Sequence, residues 1–330
     1  MQESYYLSAD KTTQIHAVKW TPSSEPIAIV QIAHGVTEYI ERYAPLAKYL
    51  TDRGIIVVGN DHLGHGDSIR RDNTPLTIGP KDTEQYLVDD FYTCYKNTKQ
   101  EHPNLPYILL GFSLGSFVVR VALDKYPDMA NGAIIMGTGQ QPALMLSLAQ
   151  AMAKSEAKKA GGFDHWTKKI DDMALGNYNK KFAPTTSKFD WLCANKAAID
   201  AYDADPKKQD HVTIGIFNAM LELMKIASKP RNIKKNSYTL YVWRRRPGRR
   251  SQKRRHTCRQ SLSKSRTRAR GQILSRPPRH FTRDSTTRCI QRHLRLDSKN
   301  YRQTIETQTK TSVLIPRFFY SSIKYSNIGA

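Results

Sequence analysis

Short apolar runs rich in β-branched residues alternate with helical stretches over the first 137 residues. Four such runs, bounded by polar residues or glycine, are typical of buried parallel strands: 26–33, 54–60, 107–112 and 132–137. Helical patterns lie between them, at 41–52, 84–101 and 114–126. Parallel neighbours require crossover connections, so this alternation predicts an α/β fold with a mostly parallel sheet and helices on both faces.

The pattern changes after Gly137. Residues 138–232 contain several helical segments and no convincing strand. A helical insertion after several strands of a parallel sheet is expected to cover the carboxyl edge of that sheet as a cap. We therefore divide the chain into the first part of the core (1–137), the cap (138–232) and an aberrant basic segment (233–330) that replaces the end of the core.

The strongest chemical signal is Gly-Phe-Ser-Leu-Gly at residues 111–115, between the run YILLGF and the helical stretch that follows. Small residues let the chain pass close to itself in a sharp strand-to-helix turn. Such a turn raises the hydroxyl of Ser113 above the sheet and aims the helix N-terminus at developing negative charge. The context predicts Ser113 as the nucleophile of an α/β-hydrolase fold.

His34 and Gly35 follow the first predicted parallel strand. In acyl-transfer sites of this layout, an amide from this loop joins the amide after the nucleophile to hold the oxyanion. These would be the backbone N–H groups of Val36 and Leu114. For the His34 side chain we favour a buried structural role, in which it holds the loop by hydrogen bonds.

Two other features suggest metal or redox chemistry at first sight. The segment DHLGHGDS (61–68) is rich in histidine and aspartate, but no partner at ligand spacing supports a metal site, and a structural loop is the better interpretation. The four cysteines have wide, irregular spacing without a CxxC pair, which indicates idle thiols in a reducing compartment.

Taken together, several motifs resemble the monoacylglycerol lipase and lysophospholipase group of α/β-hydrolases, the serine aminopeptidase S33-like hydrolases. The resemblance covers residues 1 to about 235 and is carried by His34-Gly35 with Glu38 and Arg42-Tyr43, by DHLGHGDS, by GFSLGS and by the cap-like segment 186–206. It implies hydrolysis of a lysophospholipid or monoacylglycerol ester through an acyl-enzyme on Ser113, under a cap that binds the acyl chain. It implies no cofactor.

The C-terminal part departs from this pattern. A catalytic serine needs a histidine base and a carboxylate, in the chain order Ser, acid, His. The group carries the acid in a motif like Ser-Gly-x-x-Asp-Pro-Val-Gly and the base in one like Arg-His-Glu, and neither is present. Residues 242–249 read VWRRRPGR, and residues 275–281 read SRPPRHF. His280 lies near the expected base but in a context rich in Pro and Arg, so we assign it no role.

A slip of the reading frame near codons 235 and 236 accounts for both losses. Trp has the single codon TGG, which must give Gly when read one base later before an Arg codon. The same shift lets residues 242–249 hide Ser-Gly-x-x-Asp-Pro-Val-Gly, with the acid in the codon of Arg246. It also lets 276–281 read Gly-Arg-His-Asp-Ile-Leu, with the histidine in the codon of Pro278. As written, the chain would lack the last strands, the last helix and two triad members, and we expect it to be a poor catalyst.

The charge distribution sets the alternatives. Residues 237–330, the basic tail, contain 24 basic and 3 acidic residues, whereas the rest contains 28 and 26, within a total of +23. A genuinely encoded tail would bind phosphate backbones of nucleic acid or form a disordered segment. Related folds also host hydrolases of peptides and other small esters. No signal peptide or membrane-spanning run is evident, so the sequence predicts a cytoplasmic protein.

Overall fold

The structure is a computed structural model that describes residues 1–69, 82–176, 178–182, 184–193, 195–230, 232 and 239–243. Its centre is a seven-stranded sheet in the order β1-β2-β4-β3-β5-β6-β7. The strands are β1 (Gln2–Leu7), β2 (Gln14–Trp20), β3 (Ala28–Ala33), β4 (Ile55–Asn60), β5 (Tyr107–Phe112), β6 (Gly132–Met136) and β7 (Thr239–Trp243). β1 and β2 pair antiparallel at one edge, and the other five strands run parallel.

The apolar runs form strands because both of their faces are covered. Along β3, Ile29 packs in the core on one face of the sheet, whereas Val30 packs in the core on the other. This two-residue alternation is the geometry of a pleated strand between two layers of helices. The α/β fold with helices on both faces is confirmed, and the four predicted strands lie within one or two residues of their predicted bounds.

Helices flank the sheet and continue into the predicted cap. They are α1 (Ala44–Thr51), α2 (Thr83–Glu101), α3 (Leu114–Lys125), α4 (Ala143–Ala160), α5 (Lys168–Asp171), α6 (Lys196–Asp203) and α7 (Ile214–Ala227). Between 138 and 232, the described residues contain no strand and a single β-bridge, Trp166 to Thr213. α7 packs against α4 and also against the core helices α2 and α3. None of the described helices is long and apolar enough to cross a bilayer.

The seventh strand corrects one prediction. We expected the chain as written to lack the last strands of the sheet, but Thr239–Trp243 pairs in parallel with β6, in a register that joins Met136 to Trp243. The sequence TLYVW explains this, since β-branched and aromatic residues favour a pleated strand next to an open sheet edge. The expected last helix and the triad motifs lie outside the described residues.

The N-terminal hairpin is fixed to the core by one buried carboxylate. Asp90 of α2 accepts hydrogen bonds from the Ala9 amide at 2.7 Å and from the Ser8 hydroxyl at 2.8 Å, and its carbonyl oxygen accepts one from the Tyr6 hydroxyl. Burial raises the pKa of Asp90 to about 7, although these two hydrogen bonds to its carboxylate oppose the shift. The hairpin therefore rests on a group that changes charge near neutral pH.

This pKa predicts a pH dependence of stability. Because the folded-state pKa of Asp90 lies above its unfolded value, its contribution to stability is complete below about pH 4 and is lost as the pH rises through about 7. Asp90→Asn stays neutral and keeps acceptor and donor groups for Ala9 and Ser8. We expect its urea midpoint to exceed that of the unmodified chain at pH 8 by more than at pH 5. An equal difference at both pH values would contradict this.

Candidate active site

Ser113 lies at the turn between β5 and α3, in a conformation that side-chain-bearing residues rarely adopt. Its φ is 52° and its ψ is −114°, and the hydroxyl-bearing residue is half-buried. Holding a non-glycine residue there costs about 1–3 kcal/mol unless the surroundings fix it. The Ser113 amide donates to the Met136 carbonyl at 3.0 Å, and the Ser113 carbonyl accepts from the amide and hydroxyl of Ser116. The turn is thus held on both sides of the predicted nucleophile.

The two glycines around Ser113 are required by close packing of the backbone. A Cβ on Gly111 would lie 2.5 Å from the Gly115 carbonyl oxygen, and a Cβ on Gly115 would lie 2.0 Å from the Ala33 carbonyl oxygen. Both distances are far inside van der Waals contact. The G-x-S-x-G spacing therefore follows from the path of three chain segments that cross at this point.

The predicted oxyanion donors lie on the two segments that meet here. Leu114 begins α3, so its amide belongs to the first turn, where N–H groups have no partner within the helix. Val36 follows β3 and is buried. The Gly115 amide donates to the His34 carbonyl at 3.0 Å, which ties the start of α3 to the loop after β3. This hydrogen bond brings the predicted donor segments together.

The His34 side chain has the structural role that the sequence predicts. It is fully buried, donates from Nδ1 to the Gly35 carbonyl at 2.8 Å and accepts at Nε2 from the His62 amide at 2.9 Å. Burial lowers its pKa well below the usual value, and the neighbouring His62 and His65 lower it further. A neutral ring with its proton on Nδ1 satisfies both contacts. Since the Gly35 carbonyl shares a peptide plane with the Val36 amide, His34 helps to orient that amide.

Other buried groups hold the same loop. Glu38 Oε2 accepts from the Gly35 amide at 3.0 Å and from the Tyr43 hydroxyl at 2.9 Å. His65 Nε2 lies 2.9 Å from the Val36 carbonyl oxygen, and its pKa is lowered by burial, so the neutral ring donates from this nitrogen. The sequence analysis named Glu38 only as part of a motif. Its position three residues after Gly35, next to a loop with free amides, was the signal for this role.

The loop DHLGHGDS is built around Asp61. Its buried carboxylate accepts from the Ile40 amide at 2.6 Å, from the Asp67 amide at 2.9 Å and from His16 Nδ1 at 2.8 Å. Burial alone would lower the pKa of His16, but Asp61 raises it above its usual value. One ligand atom of His16, Asp61 and Asp67 lies within 4.8 Å of the others, but Asp61 already has these donors and Asp67 pairs with Lys207. These contacts support the structural interpretation of the loop.

The nucleophile has no visible base in the part of the chain that the structure describes. Within those ranges, neither a histidine nor a carboxylate is hydrogen-bonded to the Ser113 hydroxyl. The strands β5, β6 and β7 end side by side at Phe112, Met136 and Trp243. After Trp243 the sequence continues with three arginines, and the predicted positions of acid and base lie outside the described residues.

Comparison with known proteins adds to this geometry. The sequence model of the family described as "serine aminopeptidase, S33" matches residues 24–237, which is more than half of the chain. The chain belongs to the S33 family. The match includes β3, Ser113 and the whole predicted cap, and it ends within two residues of the proposed slip.

Members of other organisms that resemble this S33 chain are monoacylglycerol lipases by name. The monoacylglycerol lipase of Mycolicibacterium smegmatis is 32% identical over 149 residues, which are 43% of this chain and 49% of that protein. The human monoglyceride lipase is 25% identical over 194 residues, 57% of this chain and 54% of that protein. The chain thus spans about half the length of these curated relatives, at 49% and 54%.

Solved structures agree on the fold. A thermostable carboxyl esterase from Bacillus coagulans superposes with a TM-score of 0.64 at 21% identity, over 73% of this chain and 78% of the esterase. A soluble variant of the monoglyceride lipase of Saccharomyces cerevisiae gives 0.53 at 14% identity, over 73% and 76%. At these identities the likeness shows the α/β-hydrolase fold of this S33 chain.

Proposed function

We propose that this chain is built to hydrolyse a carboxylic ester of a lipid-like substrate, a monoacylglycerol or a lysophospholipid, with Ser113 as nucleophile. The observation that carries the proposal is the conformation of Ser113, whose positive φ and flanking glycines present a hydroxyl at the sheet edge beside a helix N-terminus. The names of the relatives support a glycerol ester as the substrate class.

In the proposed reaction, Ser113 Oγ attacks the ester carbonyl carbon and gives its proton to a base. The carbonyl electrons move to the oxygen, and the Val36 and Leu114 amides stabilise that charge, aided by the partial positive charge at the start of α3. When the tetrahedral intermediate collapses, the C–O bond to the alcohol breaks and an acyl-enzyme remains. Water then attacks the acyl carbonyl and releases the fatty acid.

The base and the acid are proposed to be encoded in the shifted frame. The end of the family match at residue 237 supports a slip near codons 235 and 236. Sequencing the coding DNA across codons 230–300 tests this directly. A missing or extra base near codon 236 is the expected result, and an unchanged sequence would mean that the basic tail is genuinely encoded.

Covalent labelling tests the nucleophile. We expect the 330-residue chain to react slowly with a fluorophosphonate, at one site, because the nucleophile and oxyanion donors without a base retain only residual reactivity. Ser113→Ala should lose this label completely, whereas Ser116→Ala should keep it. Equal labelling of Ser113→Ala and the unmodified chain would contradict the assignment of Ser113.

The family description names an aminopeptidase, so peptides are a second candidate substrate class. Aryl esters of short and long acyl chains, monoacylglycerols, lysophospholipids and amino-acid arylamides distinguish the classes in one panel. We expect ester turnover to exceed arylamide turnover. Binding of nucleic acid by the basic tail stays a prediction from sequence alone.

A further inference from the structure

Helix α6 of the cap contacts the loop that carries Val36. The Tyr202 side chain is fully buried, and its hydroxyl lies 2.8 Å from the Thr37 carbonyl oxygen and 2.6 Å from Thr37 Oγ1. Thr37 directly follows Val36 in the chain. Since both partners are buried, water does not compete for these hydrogen bonds, and they are stronger than they would be at the surface.

The Tyr202 ring is itself held in place. The edge of Phe189 packs against it, with ring centroids 4.9 Å apart and an angle of 74° between the planes. The guanidinium carbon of Arg42 lies 4.3 Å from its centroid. The ring is therefore fixed between the cap and the 3-10 helix at Ile40–Tyr43.

A second contact joins the same two segments. The carboxylate of Asp205 accepts from Arg42 Nη1 at 2.6 Å and from the Tyr39 hydroxyl at 2.9 Å. The side chains of Arg42 and Asp205 are only 10% and 15% exposed, so this ion pair is shielded from solvent screening. We call the set Thr37, Tyr39, Arg42, Tyr202 and Asp205 the loop–cap clasp.

The core and the cap thus hold opposite sides of one amide. On the core side, His34 and Glu38 bind Gly35, and His65 binds the Val36 carbonyl. On the cap side, Tyr202 binds Thr37, the next residue along the chain. The direction of the Val36 N–H depends on both attachments, because rotation of either neighbouring peptide plane turns it.

We infer that Tyr202 is a positioning residue, whose hydroxyl holds Thr37 and so aims the Val36 amide at the oxyanion. This inference rests on the proposed function, which gives Val36 its role as a donor. It means that the cap contributes to the chemical step at Ser113 in addition to any binding of the acyl chain.

The test is the rate of Ser113 labelling by a fluorophosphonate in the 330-residue chain, measured over a range of reagent concentrations. Tyr202→Phe removes the hydroxyl and keeps the ring. We expect its limiting rate constant to fall roughly ten- to a hundredfold, the effect of a misplaced catalytic group, while the half-saturating reagent concentration stays unchanged. A role confined to stability would not separate these two parameters.

Tyr107→Phe is the matched control. Tyr107 is equally buried, and its hydroxyl donates to Gln31 Oε1 at 2.8 Å, away from the loop–cap clasp. We expect it to lower the urea midpoint about as much as Tyr202→Phe and to leave labelling unchanged. A Thr37→Val, Tyr202→Phe double variant should label no more slowly than the slower single variant, since both changes disrupt one contact.

The outcomes separate the inference from the proposed function. Labelling of Tyr202→Phe at the rate of the unmodified chain, or a loss equal to that of Tyr107→Phe, overturns the inference and leaves the proposed function standing. Absence of any Ser113-dependent label in the unmodified chain overturns both.

Discussion

Restoring the shifted reading frame after codon 235 is expected to raise turnover of a short-chain aryl ester by at least about 10⁴-fold over the chain as written, since loss of a triad base or acid costs an enzyme of this kind about that much. The nucleophile, its glycines and the loop after β3 are already in place in the written chain. What the shift adds is a carboxylate in the codon of Arg246 and a histidine in the codon of Pro278.

The position of β7 gives the physical reason. β7 ends at Trp243, beside Met136 and one strand further from Phe112, at the edge where Ser113 lies. A residue encoded three codons after Trp243 follows directly from this edge. The written sequence has Arg246 there, and a guanidinium can neither accept a hydrogen bond from a histidine nor stabilise an imidazolium.

The measurement is kcat/KM for a p-nitrophenyl ester with both chains purified side by side. The frame-restored chain with Ser113→Ala is the control and should have no turnover above background. A frame-restored chain with no more activity than the written one would show that the slip is not the reason for the missing motifs.

Gly115→Ala is expected to have the second largest effect, on folding and on the site together. The added methyl would lie 2.0 Å from the Ala33 carbonyl oxygen and 2.7 Å from the His34 carbonyl oxygen. Both are backbone atoms of a central strand and its loop, so neither can move as a flexible side chain would. We expect a loss of about 3 kcal/mol or more in the free energy of unfolding, at the upper end for overpacked sites.

The same methyl pushes the start of α3 away from the loop after β3, because the Gly115 amide and the His34 carbonyl can no longer meet. The fluorophosphonate label should therefore be lost even in the fraction that folds. Gly139→Ala is the control, since its added methyl has one neighbour, Phe117, at 3.9 Å. Urea denaturation and labelling of both variants decide the matter, and a Gly115→Ala chain like the unmodified one would exclude the crossing we describe.

The parallel part of the sheet was predictable because its signal is local. Each of the strands β3 to β6 is a short apolar run with polar or glycine boundaries, and burial on both faces makes such runs nearly continuous in hydrophobicity. Ser113 was predictable for a related reason, since strand, glycines and helix are contiguous in the chain.

The N-terminal hairpin was missed because its stability comes from distant residues. β1 is largely exposed and polar, so it has little hydrophobic pattern of its own. Its attachment depends on Asp90, more than 80 residues away, and β2 buries His16 against Asp61. The loop–cap clasp was missed for the same reason: its partners are motifs in the sequence, but their contact spans more than 160 residues.

Arg120 of α3 has a consequence for how such proteins diversify. Its guanidinium donates to Thr138 Oγ1 and the Gly139 carbonyl, where the predicted cap leaves the sheet, and to the Ala227 carbonyl at the end of α7. One side chain thus fastens both ends of an insertion of about ninety residues. An insertion whose ends are held at one point demands little of the core beneath it, so its interior can change in length and sequence while the turn at Ser113 stays as it is. In evolution the catalytic frame and the surface that selects the substrate can then vary as separate units.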